Sequence, residues 1–232
     1  MSERGRVLLE VGIATVVVGA VLAAAEAATR FGQWGIELGG LAVVLAMVGL
    51  PLALARYNRW NWDVLALDPP LLRATLLGLG ASAVILPPFF LGYDVLQVHL
   101  LGRTRGAGAG LPSWNWWIEQ AAIQLAAIAL PEELFFRGYV QGRLTQAFPP
   151  ARRLLRAQFG LSALVANLGF AAVHLIAVPA PHRLLVFFPG LLFAWLRSMT
   201  HSSVAPAVCH ACCNLALAVA VRSYGATALA LQ

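Results

Sequence analysis

Seven stretches of about 20 mostly apolar residues follow one another along the chain, over 7–28, 35–55, 71–92, 115–136, 161–180, 184–200 and 203–222. A helix of that length rises about 30 Å, enough to cross the hydrocarbon core of a bilayer. At about 20 residues each they take about 140 of the 232 positions, which leaves only loops between them. Backbone amides and carbonyls inside lipid must be satisfied within the segment itself, and an unbroken helix does this. The predicted fold class is therefore all-α. It is a polytopic membrane helix bundle of about seven transmembrane helices (six to eight), forming a single integral membrane domain over 1–232. No internal repeat is visible.

Composition excludes the competing classes. Hydrophobic residues make up 60% and charged residues only 11%, against roughly 25% charged in a soluble domain. A secreted disulfide scaffold, a disordered regulator and an ordinary cytosolic enzyme are ruled out. The net charge of +6 does not point to nucleic acid, because no basic run exceeds the pair Arg152-Arg153. Arginine follows topology instead. With the N-terminus inside, the inner loops hold ten (Arg4, Arg6, Arg56, Arg59, Arg73, Arg143, Arg152, Arg153, Arg156 and Arg197) and the outer loops five (Arg30, Arg103, Arg105, Arg183 and Arg222). We therefore expect a cytoplasmic N-terminus. Every basic residue is arginine, with heavy use of Ala, Leu and Gly. This fits a GC-rich bacterial coding sequence and hence the bacterial inner (cytoplasmic) membrane.

Local features add detail. Arg4 and Arg6 precede an apolar run, and Ala25-Glu26-Ala27 resembles a signal-peptidase site. The run is nevertheless long enough to span, and we expect an uncleaved helix. Pro87-Pro88 should kink the third span or end it early. Residues 102–110 read as a flexible connector, with Trp114, Trp116 and Trp117 as an interfacial belt after it. The stretch 151–159 reads as an amphipathic interfacial helix. Cys209, Cys212 and Cys213 are odd in number and tightly clustered, and read as small packing residues.

Charge inside a span costs several kcal/mol unless paired, and by default it marks function. Three places stand out. At the end of the fourth span lies Pro131-Glu132-Glu133-Leu134-Phe135-Phe136-Arg137. Glu133 and Arg137 are i,i+4 neighbours and can pair. Glu132 is rotated ~100° away, without that partner. One carboxylate thus holds the helix and the other is left to work, as a general base. The pairing favours Glu132 as base, with Glu133 the alternative. In the fifth span, Phe170 precedes His174 by four residues, and a mid-membrane imidazole needs a hydrogen-bond partner or a metal. In the seventh span, His210 and Asn214 share one helix face. An imidazole and a carboxamide aimed at one spot can donate the two hydrogen bonds of an oxyanion hole, or clamp two helices together.

Taken in order, Glu132-Glu133…Arg137, Phe170…His174 and His210…Asn214 resemble the pattern EExxxR, FxxxH, HxxxN/D of the CPBP intramembrane proteases. These include type II CAAX prenyl endopeptidases and bacteriocin-processing (Abi) proteins. The resemblance covers residues 115–222, a CPBP-like catalytic core. It implies hydrolysis of a peptide bond within the membrane by a glutamic-type endopeptidase. Carried over, Glu132 is the general base assisted by His174, and His210 with Asn214 forms the oxyanion hole. Glu133, Arg137 and Phe170 orient them. No cofactor is favoured. The zinc version would use Glu132, His174 and His210 as a His2Glu site, and Asn214, a poor zinc ligand, tilts against it. The segments around 131–144 and 184–197 are also similar to a bacterial, myxosortase-like branch that acts on C-terminal sorting tails. Bacteria generally lack prenylated CAAX substrates. The implied partners are therefore the lipid bilayer and a protein or peptide carrying a membrane-anchored or C-terminal segment, with no nucleic acid.

Two other readings use the same residues. One is a non-catalytic membrane immunity or partner-binding protein of the same fold, which a degraded motif would favour. The other is a proton-relay transporter, which an inverted repeat would favour. The three motifs are intact and no repeat is seen.

Overall fold

In a computed structural model, the described residues are 1–60, 65–66, 70–106, 112–149, 153–155 and 157–224. They form seven helical rods. The first is α1 (Glu3–Ala28), which ends in a 3-10 turn. Then come α2 (Gln33–Tyr57) and α3 (Leu71–Val95), the latter extended by a π turn over Leu96–Leu100. The fourth rod is composite. It joins α4 (Trp114–Ala122), a π stretch Ile123–Ala129, α5 (Leu130–Glu133), a second π stretch Leu134–Val140, and α6 (Gln141–Ala147). The remaining rods are α7 (Leu161–Ala177), α8 (Phe187–Thr200) behind a 3-10 turn, and α9 (Val204–Tyr224).

Five helices are long and apolar enough to cross a membrane: Glu3–Phe31, Gln33–Tyr57, Leu71–Leu100, Pro181–Thr200 and Val204–Tyr224. Leu161–Ile176 is a shorter apolar helix. The polar residues point inward and the large apolar ones outward. Glu133, Arg137, Asn167 and Gln97 are fully buried, whereas Ile13, Val16, Leu41, Leu45, Leu76 and Val84 are exposed. That inversion of a soluble protein's surface is what lipid as solvent demands.

The main core gathers Val7, Val11, Ala14 and Val18 of α1, Met47 of α2, Phe135, Phe136 and Tyr139 of the second π stretch, and Ala166, Phe170 and Val173 of α7. Packing therefore wraps α1, α2 and α7 around the segment that carries the carboxylates. On the other side α9 lies along α3, and α8 touches both α7 and α9. Gly78 lets α3 and α9 approach closely, since a Cβ there would stand 2.5 Å from the Ala205 carbonyl oxygen.

Three expectations are corrected. Of the two outcomes expected at Pro87-Pro88, the early end does not occur: α3 continues to Val95 and its π turn to Leu100. Packing holds the far end, where Tyr93 meets Tyr224 of α9 edge-on with ring centroids 5.8 Å apart. The fifth span stops at Ala177 rather than 180, because Val178 is extended ahead of Pro179. The described residues of 151–159 form no helix. Arg153–Leu154 and Ala157–Gln158 pair antiparallel, with Leu155 between them at φ 46°, a left-handed conformation that breaks a helix. Residues 150–152 and 156, with their arginines, lie outside the described residues, as do 107–111 of the connector. The connector's described half is tied down. Gly106 N–H donates to the Ser223 carbonyl at 2.8 Å, and Arg105 forks onto Asp94 at 2.8 and 2.5 Å.

Candidate active site

Glu132 and Glu133 sit where α5 passes into the second π stretch, and the one-residue offset sends them in different directions. Glu133 Oε2 accepts from Arg137 Nε at 3.0 Å, and both side chains are wholly buried. The other Glu133 oxygen accepts from His210 Nδ1 at 2.9 Å. Glu132 Oε2 instead faces two imidazoles. His174 Nε2 and His210 Nε2 each stand 3.9 Å from it. That is too long for a direct hydrogen bond and short enough for one water to bridge. Glu132 Oε2 is buried and takes no hydrogen bond from a described residue.

The hydrogen bonds on the far side of each ring fix the tautomers. His174 Nδ1 donates to the Phe170 carbonyl at 2.8 Å, so its Nε2 is the acceptor in the neutral ring. His210 Nδ1–H is committed to the Glu133 carboxylate. Its Nε2 can donate only as the imidazolium. Aromatic rings wall the pair in. Phe170 lies 4.5 Å from the His174 ring and 6.1 Å, edge-on, from the His210 ring. Phe193 stacks on His210 at 4.8 Å and 18°. The Arg137 guanidinium caps the Phe170 ring at 4.8 Å.

His174 lies in the last turn of α7, not in the middle of a span as expected, because the helix ends at Ala177. Asn214 is on the same helix as His210, one turn on. Its Nδ2 donates to Gln124 Oε1 at 2.9 Å. Glu132, His174 and His210 thus meet at one carboxylate oxygen, Glu133 and Arg137 stand behind them, and Asn214 is held from the fourth rod.

Sequence reasoning missed three supporting residues. Asn167, fully buried, accepts from Arg137 Nη2 at 3.2 Å and donates to the Phe187 carbonyl at 2.8 Å. A polar residue seven positions before His174 on the same helix, within an apolar run, was its only trace. Phe193 and Gln124 belong to none of the three motifs and carry no local signature. Gly190 makes room for the Asn167 contact: a Cβ there would lie 2.1 Å from Asn167 Oδ1 and 3.2 Å from Arg137 Nη2.

The zinc alternative meets a geometric obstacle. Tetrahedral ligand atoms about 2.0–2.1 Å from zinc lie ~3.3 Å from one another. Here the two imidazole nitrogens are each 3.9 Å from the carboxylate oxygen. Among the described residues no group of three His, Cys, Asp or Glu is placed to hold a metal ion.

Residues 114–216 match the family model described as type II CAAX prenyl endopeptidase Rce1-like. No curated protein and no solved structure matches the chain.

Proposed function

We propose, with residues 114–216 an Rce1-like domain of the type II CAAX prenyl endopeptidases, that the chain hydrolyses peptide bonds by glutamic-type catalysis. We infer from that match a membrane-embedded protease acting on a protein or peptide. The finer reading rests on one observation: two imidazole Nε2 atoms converge on Glu132 Oε2 at water-bridging distance.

In this reading a water donates one hydrogen to Glu132 Oε2 and one to the lone pair of His174 Nε2. Glu132 takes the first proton as the water oxygen bonds to the scissile carbonyl carbon. Negative charge builds on the carbonyl oxygen, where His210 Nε2–H and Asn214 Nδ2–H donate to it. Glu133 orients His210 through its Nδ1–H, and Arg137 with Asn167 keeps Glu133 in place. As the C–N bond breaks, protonated Glu132 passes its proton to the leaving nitrogen. The atoms balance with water as the sole co-reactant.

The substrate assigned here is a C-terminal sorting or anchor tail of an exported protein in a bacterial inner membrane, with the chain's N-terminus cytoplasmic. The sequence likeness over 131–144 and 184–197 supports it. The test uses the purified chain in lipid nanodiscs with two internally quenched probes. One ends in an apolar helix and an Arg cluster, the other in a farnesylated CAAX box. Cleavage of the first probe, surviving exhaustive chelation and absent in Glu132→Gln, is expected. Cleavage of the CAAX probe alone overturns the sorting substrate. Activity lost on chelation and restored by zinc overturns the glutamic mechanism.

A further inference from the structure

We infer that Gln124 is a positioning residue that sets the Asn214 amide for oxyanion binding, an assignment that rests on the peptidase reading above. Asn214 Nδ2 donates to Gln124 Oε1 at 2.9 Å, across 90 residues of sequence. Nothing in the three motifs points to Gln124. Its neighbours Ile123 and Leu125 are 40% and 39% exposed, while Gln124 itself is 7% exposed. A carboxamide buried in an otherwise apolar stretch, Ile123–Ala129, is costly unless it is hydrogen-bonded, and it tends to mark function.

The backbone supplies a second, independent observation. Gln124 is the second residue of the π stretch Ile123–Ala129. A π turn inserts an extra residue and re-aims the side chains it carries, and such turns gather at functional sites. α9 packs directly on this stretch. The irregular turn therefore sits where it can send Gln124 toward α9.

The chemical consequence lies in how an amide is oriented. The Asn214 side chain can rotate to present either its oxygen or its NH2 group. An oxyanion needs the NH2 end. With one Nδ2 hydrogen committed to Gln124 Oε1, flipping Asn214 alone would set two oxygens against each other, so the reversed arrangement requires both amides to turn together. Gln124 thus biases Asn214 toward the donating orientation before substrate arrives. It touches no reacting atom, so it should change kcat more than KM.

The test measures kcat and KM on the cleaved probe in nanodiscs for Gln124→Leu, Gln124→Glu, Asn214→Ala and the double variant Gln124→Leu/Asn214→Ala. Thermal unfolding is read alongside. Expected are a kcat loss of about tenfold or more in Gln124→Leu, KM within about twofold, and recovery of most activity in Gln124→Glu, which keeps the acceptor. The double variant should be no slower than Asn214→Ala alone, because both changes remove one interaction. Wild-type kcat in Gln124→Leu, equal losses in the Leu and Glu variants, or multiplicative losses in the double variant overturns the assignment. If Gln124→Leu does not fold, Gln124→Glu carries the test, and loss of its activity in a folded protein contradicts the assignment. Glu132→Gln separates the two claims. A Glu132→Gln enzyme as active as the wild type defeats the peptidase reading itself, whatever Gln124 does.

Discussion

His210 Nδ1 donates to Glu133 Oε1 at 2.9 Å, joining residues 77 positions apart. The second oxygen of that carboxylate receives Arg137. Glu133 is thus consumed by positioning, and Glu132, one residue earlier, is left facing both Nε2 atoms. The two adjacent glutamates should therefore fail in different ways.

Replacing Arg137 tests the supporting half. Arg137→Met leaves Glu133 buried beside apolar groups without its cation, and should cost about 3–5 kcal/mol of stability. Thermal unfolding in detergent checks it. Arg137→Lys should recover only part of the loss, because an ammonium cannot reach Glu133 and Asn167 in the guanidinium's planar geometry. A wild-type unfolding midpoint in Arg137→Met would show that the buried pair does not hold the helix.

Gly190→Ala tests the packing behind Arg137. The added methyl would stand 2.1 Å from Asn167 Oδ1. The expected cost is about 1–3 kcal/mol, with a fall in cleavage as Arg137 shifts. Because the clash is with Asn167, the double variant Gly190→Ala/Asn167→Ala should lose less than the sum of the two single changes. Additive losses would place the strain elsewhere.

Glu10 tests whether α1 is an integral part of the domain. It accepts from Tyr139 at 3.0 Å and from two nitrogens of Arg143, each at 3.1 Å. The ion pair is partly exposed, so solvent discounts it, and Glu10→Ala should cost only about 1 kcal/mol. Differential scanning of the purified protein measures this. No change in unfolding midpoint, with protease access to α1 also unaltered, would contradict the assignment.

Most of the seven rods were legible because lipid demands long apolar segments, and length with composition reveals the five helices long enough to span. The pairing of Glu133 with Arg137 was legible because it is local, set by the helix repeat. His174 does face Glu132 but not at the depth expected: Val178 and Pro179 end α7 early, and hydropathy alone does not register that. Asn167, Gln124 and Phe193 were not legible. Their partners lie on other helices, and neither π stretch has a sequence signature. The strand pair 153–154 and 157–158 was read as part of a helix because arginines and leucines in that spacing mimic an amphipathic face. The left-handed backbone at Leu155 overrides the pattern.

Asn214→Ala should lower kcat about 10²–10³-fold, the usual effect of removing one oxyanion donor, with little change in KM. Steady-state kinetics on the cleaved probe check it. A rise in KM at constant kcat would assign Asn214 to substrate binding instead.

The most direct test compares kcat of Glu132→Gln and Glu133→Gln in zinc-free nanodiscs, with unfolding midpoints recorded on the same samples. With Glu132 as base, Glu132→Gln should lose at least about 10²–10⁴-fold in kcat while its midpoint stays near wild type. Glu133→Gln should lose stability as well as rate. Equal, substantial cleavage by Glu132→Gln and the wild type would contradict the assignment of Glu132 as the group that activates water.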